Sequence, residues 1–159
     1  MNKSFKWFLD HFEEVFGALL IFVMSLFAFI NVISRYVVNL SLNFTEELNV
    51  YFFVWLAFFG SAWAAREGSH MSVSLIYDLF PKLGRKCIYI LNQSISIALF
   101  LALGYCGILE IMDEIALNAT TETIVVPVWW FTSSIPIGSA LFIIRTFNKT
   151  KDDLRTGNY

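Results

Sequence analysis

The sequence predicts an all-α integral membrane protein with four transmembrane helices, both termini in the cytoplasm, and an interfacial amphipathic helix between helices 2 and 3. Three observations carry this: four long runs without a charged residue, a lopsided placement of lysine and arginine, and one amphipathic segment in the middle of the chain. The 159 residues suit a single membrane domain. With 57% apolar and only 15% charged residues, the balance is far from that of a soluble domain.

The charge-free runs are Val15 to Ser34, Leu48 to Ala65, Cys87 to Leu109 and Thr123 to Ile144, of 20, 18, 23 and 22 residues. A helix rising about 1.5 Å per residue needs roughly 20 apolar residues to cross hydrocarbon about 30 Å thick. Lipid offers no hydrogen-bond partner to an open backbone, and the period-two alternation of a barrel strand is absent, so each run is read as a helix. The predicted spans are about 15–36, 46–66, 87–111 and 123–146. The first is too long for a signal-peptide core and continues into Asn31, Arg35 and Tyr36, so it is expected to remain as a span.

Ten of the eleven Lys and Arg residues lie before span one, between spans two and three, or after span four. The exception is Arg35. The positive-inside bias therefore puts both termini and the middle loop in the cytoplasm. Within that loop, over residues 70–86, Leu75, Ile76, Leu79, Phe80 and Leu83 recur at helical spacing opposite polar residues, which predicts a helix in the membrane surface broken near Pro81.

Several polar or small residues stand out. Asn31, Ser34 and Arg35 share a face near the far end of span one. Arg35 on the non-cytoplasmic side is expected to pair with Glu46 or Glu47 at the start of span two. Along span two, Ala57, Gly60, Ser61, Ala64 and Ala65 form a strip of small residues that allows close helix approach, within this chain or with another. Asn92, Gln93 and Ser96 are expected to bond across helices. Pro127 is placed in the opening turns of span four, Pro136 at a mid-membrane kink, and Trp129 with Trp130 in the interfacial belt.

Other function classes find little support. Cys87 and Cys106 lack the spacing of a redox pair or zinc site, and His11 and His70 both lie outside the spans, where they cannot ligate a haem within the bundle. No nucleophile or P-loop pattern occurs, and no basic cluster points to nucleic acid. No charge sits at the centre of any span, whereas ion-driven carriers keep ionisable groups or broken helices there. The chain is thus expected to be neither an enzyme nor a cofactor protein.

Taken jointly, Arg35-Tyr36, Phe44-Thr45-Glu46-Glu47-Leu48, Trp55 with Gly60, and Arg66-Glu67-Gly68-Ser69-His70 resemble the first half of the DctQ-type small membrane subunits of TRAP transporters. Val126-Pro127-Val128-Trp129, Ile135-Pro136-Ile137-Gly138 and Arg145 resemble that family's last span, so the likeness runs from about residue 15 to 147. Asn49 and Ser74 depart from it, standing where a basic and an acidic residue are common. The resemblance implies a non-catalytic scaffold subunit in a bacterial inner membrane. Its implied partners are a large multi-span membrane subunit that binds sodium and a periplasmic binding protein that delivers an organic acid such as a C4-dicarboxylate or sialic acid. By that analogy Arg35, Glu46, Glu47, Arg66 and His70 are structural or subunit-interface candidates, joined by Gly60, Ser61 and Ala64 from the small strip. The competing reading is a stand-alone, homo-oligomeric four-helix exporter or channel.

Overall fold

A computed structural model describes residues 3–39, 42–67 and 82–156. The described residues carry five helices: α1 (Lys3–Ile33), α2 (Asn43–Glu67), α3 (Lys82–Ala116), α4 (Trp129–Thr132) and α5 (Ser134–Thr156). A π-helical turn over Ser34–Val38 extends α1, and no named strand occurs among these residues. Of the surface-helix segment expected at 70–86, residues 70–81 and hence His70 fall outside the described part. Residues 82–86 form the first turns of α3.

Among the described residues, three stretches are long and apolar enough to cross a bilayer: Phe12–Val37, Asn43–Glu67 and Lys86–Ala116. The fourth apolar run is divided differently from the sequence expectation. Thr120 pairs with Pro127 in an antiparallel bridge, so residues 123–128 belong to a hairpin and helix begins only at Trp129. Pro127 precedes the helix because its ring nitrogen has no hydrogen to donate and an isolated bridge requires none there. Pro136 falls in the first turn of α5, directly after the break that separates it from α4. Its missing donor leaves the Thr132 carbonyl outside the ladder. Ser133 N–H still reaches the Trp129 carbonyl at 3.0 Å and Ile137 N–H the Ser133 carbonyl at 3.3 Å. The separation of α4 from α5 is therefore the local cost of one proline.

Helix ends are closed by asparagines in left-handed geometry, which their short polar side chains tolerate. Asn39 (φ 56°) donates its N–H to the Ser34 carbonyl after the π-helical turn. After α3, Asn118 (φ 49°) bonds the Ile115 carbonyl at 3.2 Å and Ala119 the Glu114 carbonyl at 2.9 Å. At the start of α2 the buried Thr45 donates its hydroxyl to the Leu42 carbonyl at 2.6 Å.

Helix adjacency runs α1–α2–α5–α3, with α1 and α3 at the edges sharing no substantial interface. Aromatic rings join α1 to α2: Phe16 meets Phe59 at 4.9 Å and Trp55 at 5.9 Å, and Phe27 stacks on Phe52 at 6.1 Å. In the middle, Ala62, Ala65 and Phe142 form a buried core flanked by Phe100 and Leu141. Phe100 stacks on Phe142, with ring centroids 3.6 Å apart.

Hydrocarbon solvates leucine as well as a protein core does, so close packing and polar contacts must hold such helices together. Glycine supplies the closeness at two interfaces. A Cβ on Gly138 of α5 would collide with Phe58 of α2, and one on Gly107 of α3 would lie 2.7 Å from Ile135 Cγ2 of α5. The expected small strip of α2 is used only in part within this chain. Nothing lies within 4 Å of a Cβ built on Gly60, and the Ser61 hydroxyl turns back to the Ala57 carbonyl of its own helix at 2.7 Å. Of the strip, Ala65 is buried, and together with Ala62 it packs against Phe142.

Candidate functional site

The polar side chains gather at the two ends of the helix row. One end holds the starts of α1 and α3 and the ends of α2 and α5; the other holds the loops joining α1 to α2 and α3 to α4. Between them the row presents apolar side chains, many of them exposed. At each end, polar groups cross from one helix to another and brace the helices against each other. Among the described residues no group of three His, Cys, Asp or Glu side chains is placed to hold a metal ion.

At the terminal end, Glu13 of α1 and Arg145 of α5 form a two-pronged pair. Arg145 Nε donates to Glu13 Oε1 at 2.7 Å and Nη2 to Oε2 at 3.1 Å. The Glu13 side chain is only 1% exposed. Two parallel charge-assisted bonds suit the planar guanidinium and satisfy both carboxylate oxygens, which a buried carboxylate requires. Beside it Arg66, closing α2, donates to Glu67 at 3.0 Å through Nη2 and lies 4.0 Å from Glu14. Nearby, the buried Tyr89 of α3 donates its hydroxyl to Asp153 of α5 at 3.0 Å, and Lys149 pairs with the same carboxylate at 3.2 Å.

At the loop end, the Asn31 amide nitrogen donates to Glu46 Oε1 at 3.1 Å, while the Asn31 carbonyl oxygen accepts the Leu42 N–H at 3.2 Å. One side chain thus ties α1, the connecting loop and α2. Glu47 reaches the hairpin: its carboxylate accepts the N–H of Glu122 at 2.8 Å, the N–H of Thr123 at 3.1 Å and the Thr123 hydroxyl. Within the hairpin, Thr121 N–H bonds the Val126 carbonyl at 2.9 Å and Val126 N–H the Thr121 hydroxyl oxygen at 3.0 Å. Val125 at its tip has φ 58°, a conformation costing a β-branched residue about 1–3 kcal/mol. Glu114 of α3 accepts the Thr132 hydroxyl of α4 at 2.7 Å, and Tyr51 of α2 stacks on Phe131 at 4.3 Å.

This geometry revises the expected partners. The ion pair from Arg35 to Glu46 or Glu47 is not formed among the described residues: Glu46 is engaged by Asn31, Glu47 by the hairpin, and Arg35 is exposed in the π-helical turn. Arg66 belongs to the terminal-end cluster, and Ala64 is half-buried on α2. The pair of Glu13 with Arg145 escaped sequence reasoning, though a signal existed. Each flanks a charge-free run, and the fold brings those two flanks to the same end of the helix row.

These features define a helical membrane protein whose polar residues lock its own helices to one another. Residues 13–156 match the family described as tripartite ATP-independent periplasmic transporters, DctQ component. The chain therefore belongs to that family, the small membrane subunits of TRAP transporters. It is 34% identical over 85 residues to a Haemophilus influenzae chain assigned as a TRAP transporter small permease protein, covering 54% of this chain and 53% of that one. It is 28% identical to the ectoine TRAP transporter small permease protein TeaB of Halomonas elongata, over 79% of this chain and 65% of the relative. To the C4-dicarboxylate TRAP transporter small permease protein DctQ of Rhodobacter capsulatus it is 24% identical, over 75% of this chain and 52% of the relative. The matches thus span about half to two thirds of the length of these relatives.

Proposed function

We propose that this chain is a non-conducting brace in a tripartite, sodium-coupled importer of organic acids, working with a large multi-span membrane subunit and a periplasmic binding protein. The observation that carries the reading is the helix row pinned at both ends, by Glu13–Arg145 at one and by Asn31–Glu46 and Glu47–Thr123 at the other. Paired charges and satisfied carboxylates hold helices in one arrangement, whereas a moving transport element needs two. In this reading sodium and substrate bind the large subunit, and the small one needs no cofactor.

The orientation follows from the lysine and arginine bias: the terminal end faces the cytoplasm of a bacterial inner membrane, and the hairpin faces the periplasm. The fourth crossing is made by α4 and α5 together. Pairing Arg145 with Glu13 lowers the cost of holding that charge beside the hydrocarbon boundary. Relatives named for ectoine and for C4-dicarboxylates support a small polar organic cargo, here assigned to the carboxylates.

The test is reconstitution in liposomes with the binding protein on the side of the hairpin. The chain alone is expected to give no sodium-driven uptake of a carboxylate, and coexpression with the large subunit to restore it. Uptake by the purified chain alone would overturn the brace.

A further inference from the structure

The hairpin between α3 and α4 combines features that its contacts within the chain do not explain. Its tip is apolar and outward. Val125 is 69% exposed and Ile124 39%, while Leu117 before the hairpin is 78% exposed and Trp130 after it 60%. From Thr123 to Val128 the segment has no charged side chain. Val125 holds a positive φ that a β-branched residue avoids, yet its side chain is directed away from the protein and gains no packing there. The tip is not loose: Glu47 grips its base at Glu122 and Thr123, and Thr121 closes it from within. A rigidly held, strained, exposed apolar tip indicates a surrounding that rewards exposure of hydrocarbon.

The surface next to it identifies that surrounding. The membrane-spanning stretch of α3 ends at Ala116, directly before the exposed Leu117, so the apolar tip stands at the end of a membrane-spanning helix. Glu46, Glu47 and Glu114 at the same end mark the headgroup level, and Trp130 is the residue type that collects there. We propose that the Ile124–Val125 tip is a membrane-surface anchor, seated in the headgroup and upper acyl region of the adjacent leaflet. The partner is lipid. Glu47 is its positioning residue, since its carboxylate sets the direction of the hairpin. This inference rests on the membrane-spanning helices alone and stands apart from any role in transport.

The experiment places a bimane fluorophore on Val125→Cys in the full chain with Cys87→Ser and Cys106→Ser, in nanodiscs of phosphatidylethanolamine and phosphatidylglycerol. Lipids spin-labelled high on the acyl chain and aqueous iodide serve as the two quenchers. Leu99→Cys is the lipid reference and Lys151→Cys the aqueous one. The expected result is lipid quenching comparable to position 99 and iodide quenching severalfold weaker than at position 151. Ile124→Cys repeats the measurement at a neighbouring residue, so a defect of one variant does not decide it. Adding Glu47→Gln is expected to raise iodide access severalfold. Iodide quenching equal to position 151 without lipid quenching would overturn the anchor. Protection from both quenchers, alone or with a coexpressed large subunit, would also overturn it by showing protein over the tip.

Discussion

Glu13 and Arg145 lie 132 residues apart in sequence and meet through two parallel hydrogen bonds at 2.7 and 3.1 Å. Their pairing joins an edge helix to a central one where the two make little other contact. Glu13, early in α1, and Arg145, at the middle of α5, thus tie these two helices together.

Removing one partner leaves the other charge buried and uncompensated. Arg145→Ala is expected to destabilise the chain by about 3–5 kcal/mol. The double variant Glu13→Leu/Arg145→Met is expected to recover most of that loss, because an apolar pair of similar volume carries no desolvation cost. Thermal unfolding in detergent, read by circular dichroism, checks both. Equal stability of the single variant and the parent would refute the buried pair.

Gly138 and Gly60 should respond in opposite ways to alanine. Gly138→Ala drives a methyl into Phe58 and is expected to cost about 1–3 kcal/mol by overpacking. Gly60→Ala meets open space, so relief of glycine's helix penalty is expected to leave the chain unchanged or more stable by about 0.5–1 kcal/mol. The same unfolding assay separates the two.

Glu47→Gln keeps the size of the side chain but removes one acceptor oxygen and the charge. The amides of Glu122 and Thr123 are expected to exchange with deuterium about tenfold faster, a loss of about 1–1.5 kcal/mol at that contact. Amides at the centre of α3 should be unaffected. Hydrogen exchange with mass spectrometry resolves the two segments.

Tyr89→Phe deletes a buried hydroxyl and one bond to Asp153, which keeps Lys149. The expected cost is about 1–3 kcal/mol, seen as a lowered midpoint for thermal unfolding. Arg35→Ala, by contrast, removes an exposed side chain with no ion pair to Glu46 or Glu47. It is expected to leave the stability of the isolated chain within about 0.5 kcal/mol of the parent.

The amino-acid order alone determined that this chain is helical and membrane-embedded, and joint motifs such as Phe44-Thr45-Glu46-Glu47-Leu48 were enough to indicate its family. Both follow from properties that are local or additive: apolar run length against bilayer thickness, and residue types at short spacing. Tertiary structure alone decided which polar residues meet. Glu46 chose Asn31 over Arg35, Glu47 chose a hairpin 75 residues away, and Glu13 found Arg145. It also decided that Gly138, and not Gly60, lies against a neighbouring helix with no room for a Cβ. The physical reason is that hydrogen bonds and ion pairs act over a few ångströms with strict direction. A partner tens of residues away therefore leaves no trace in the apolar pattern that a sequence displays.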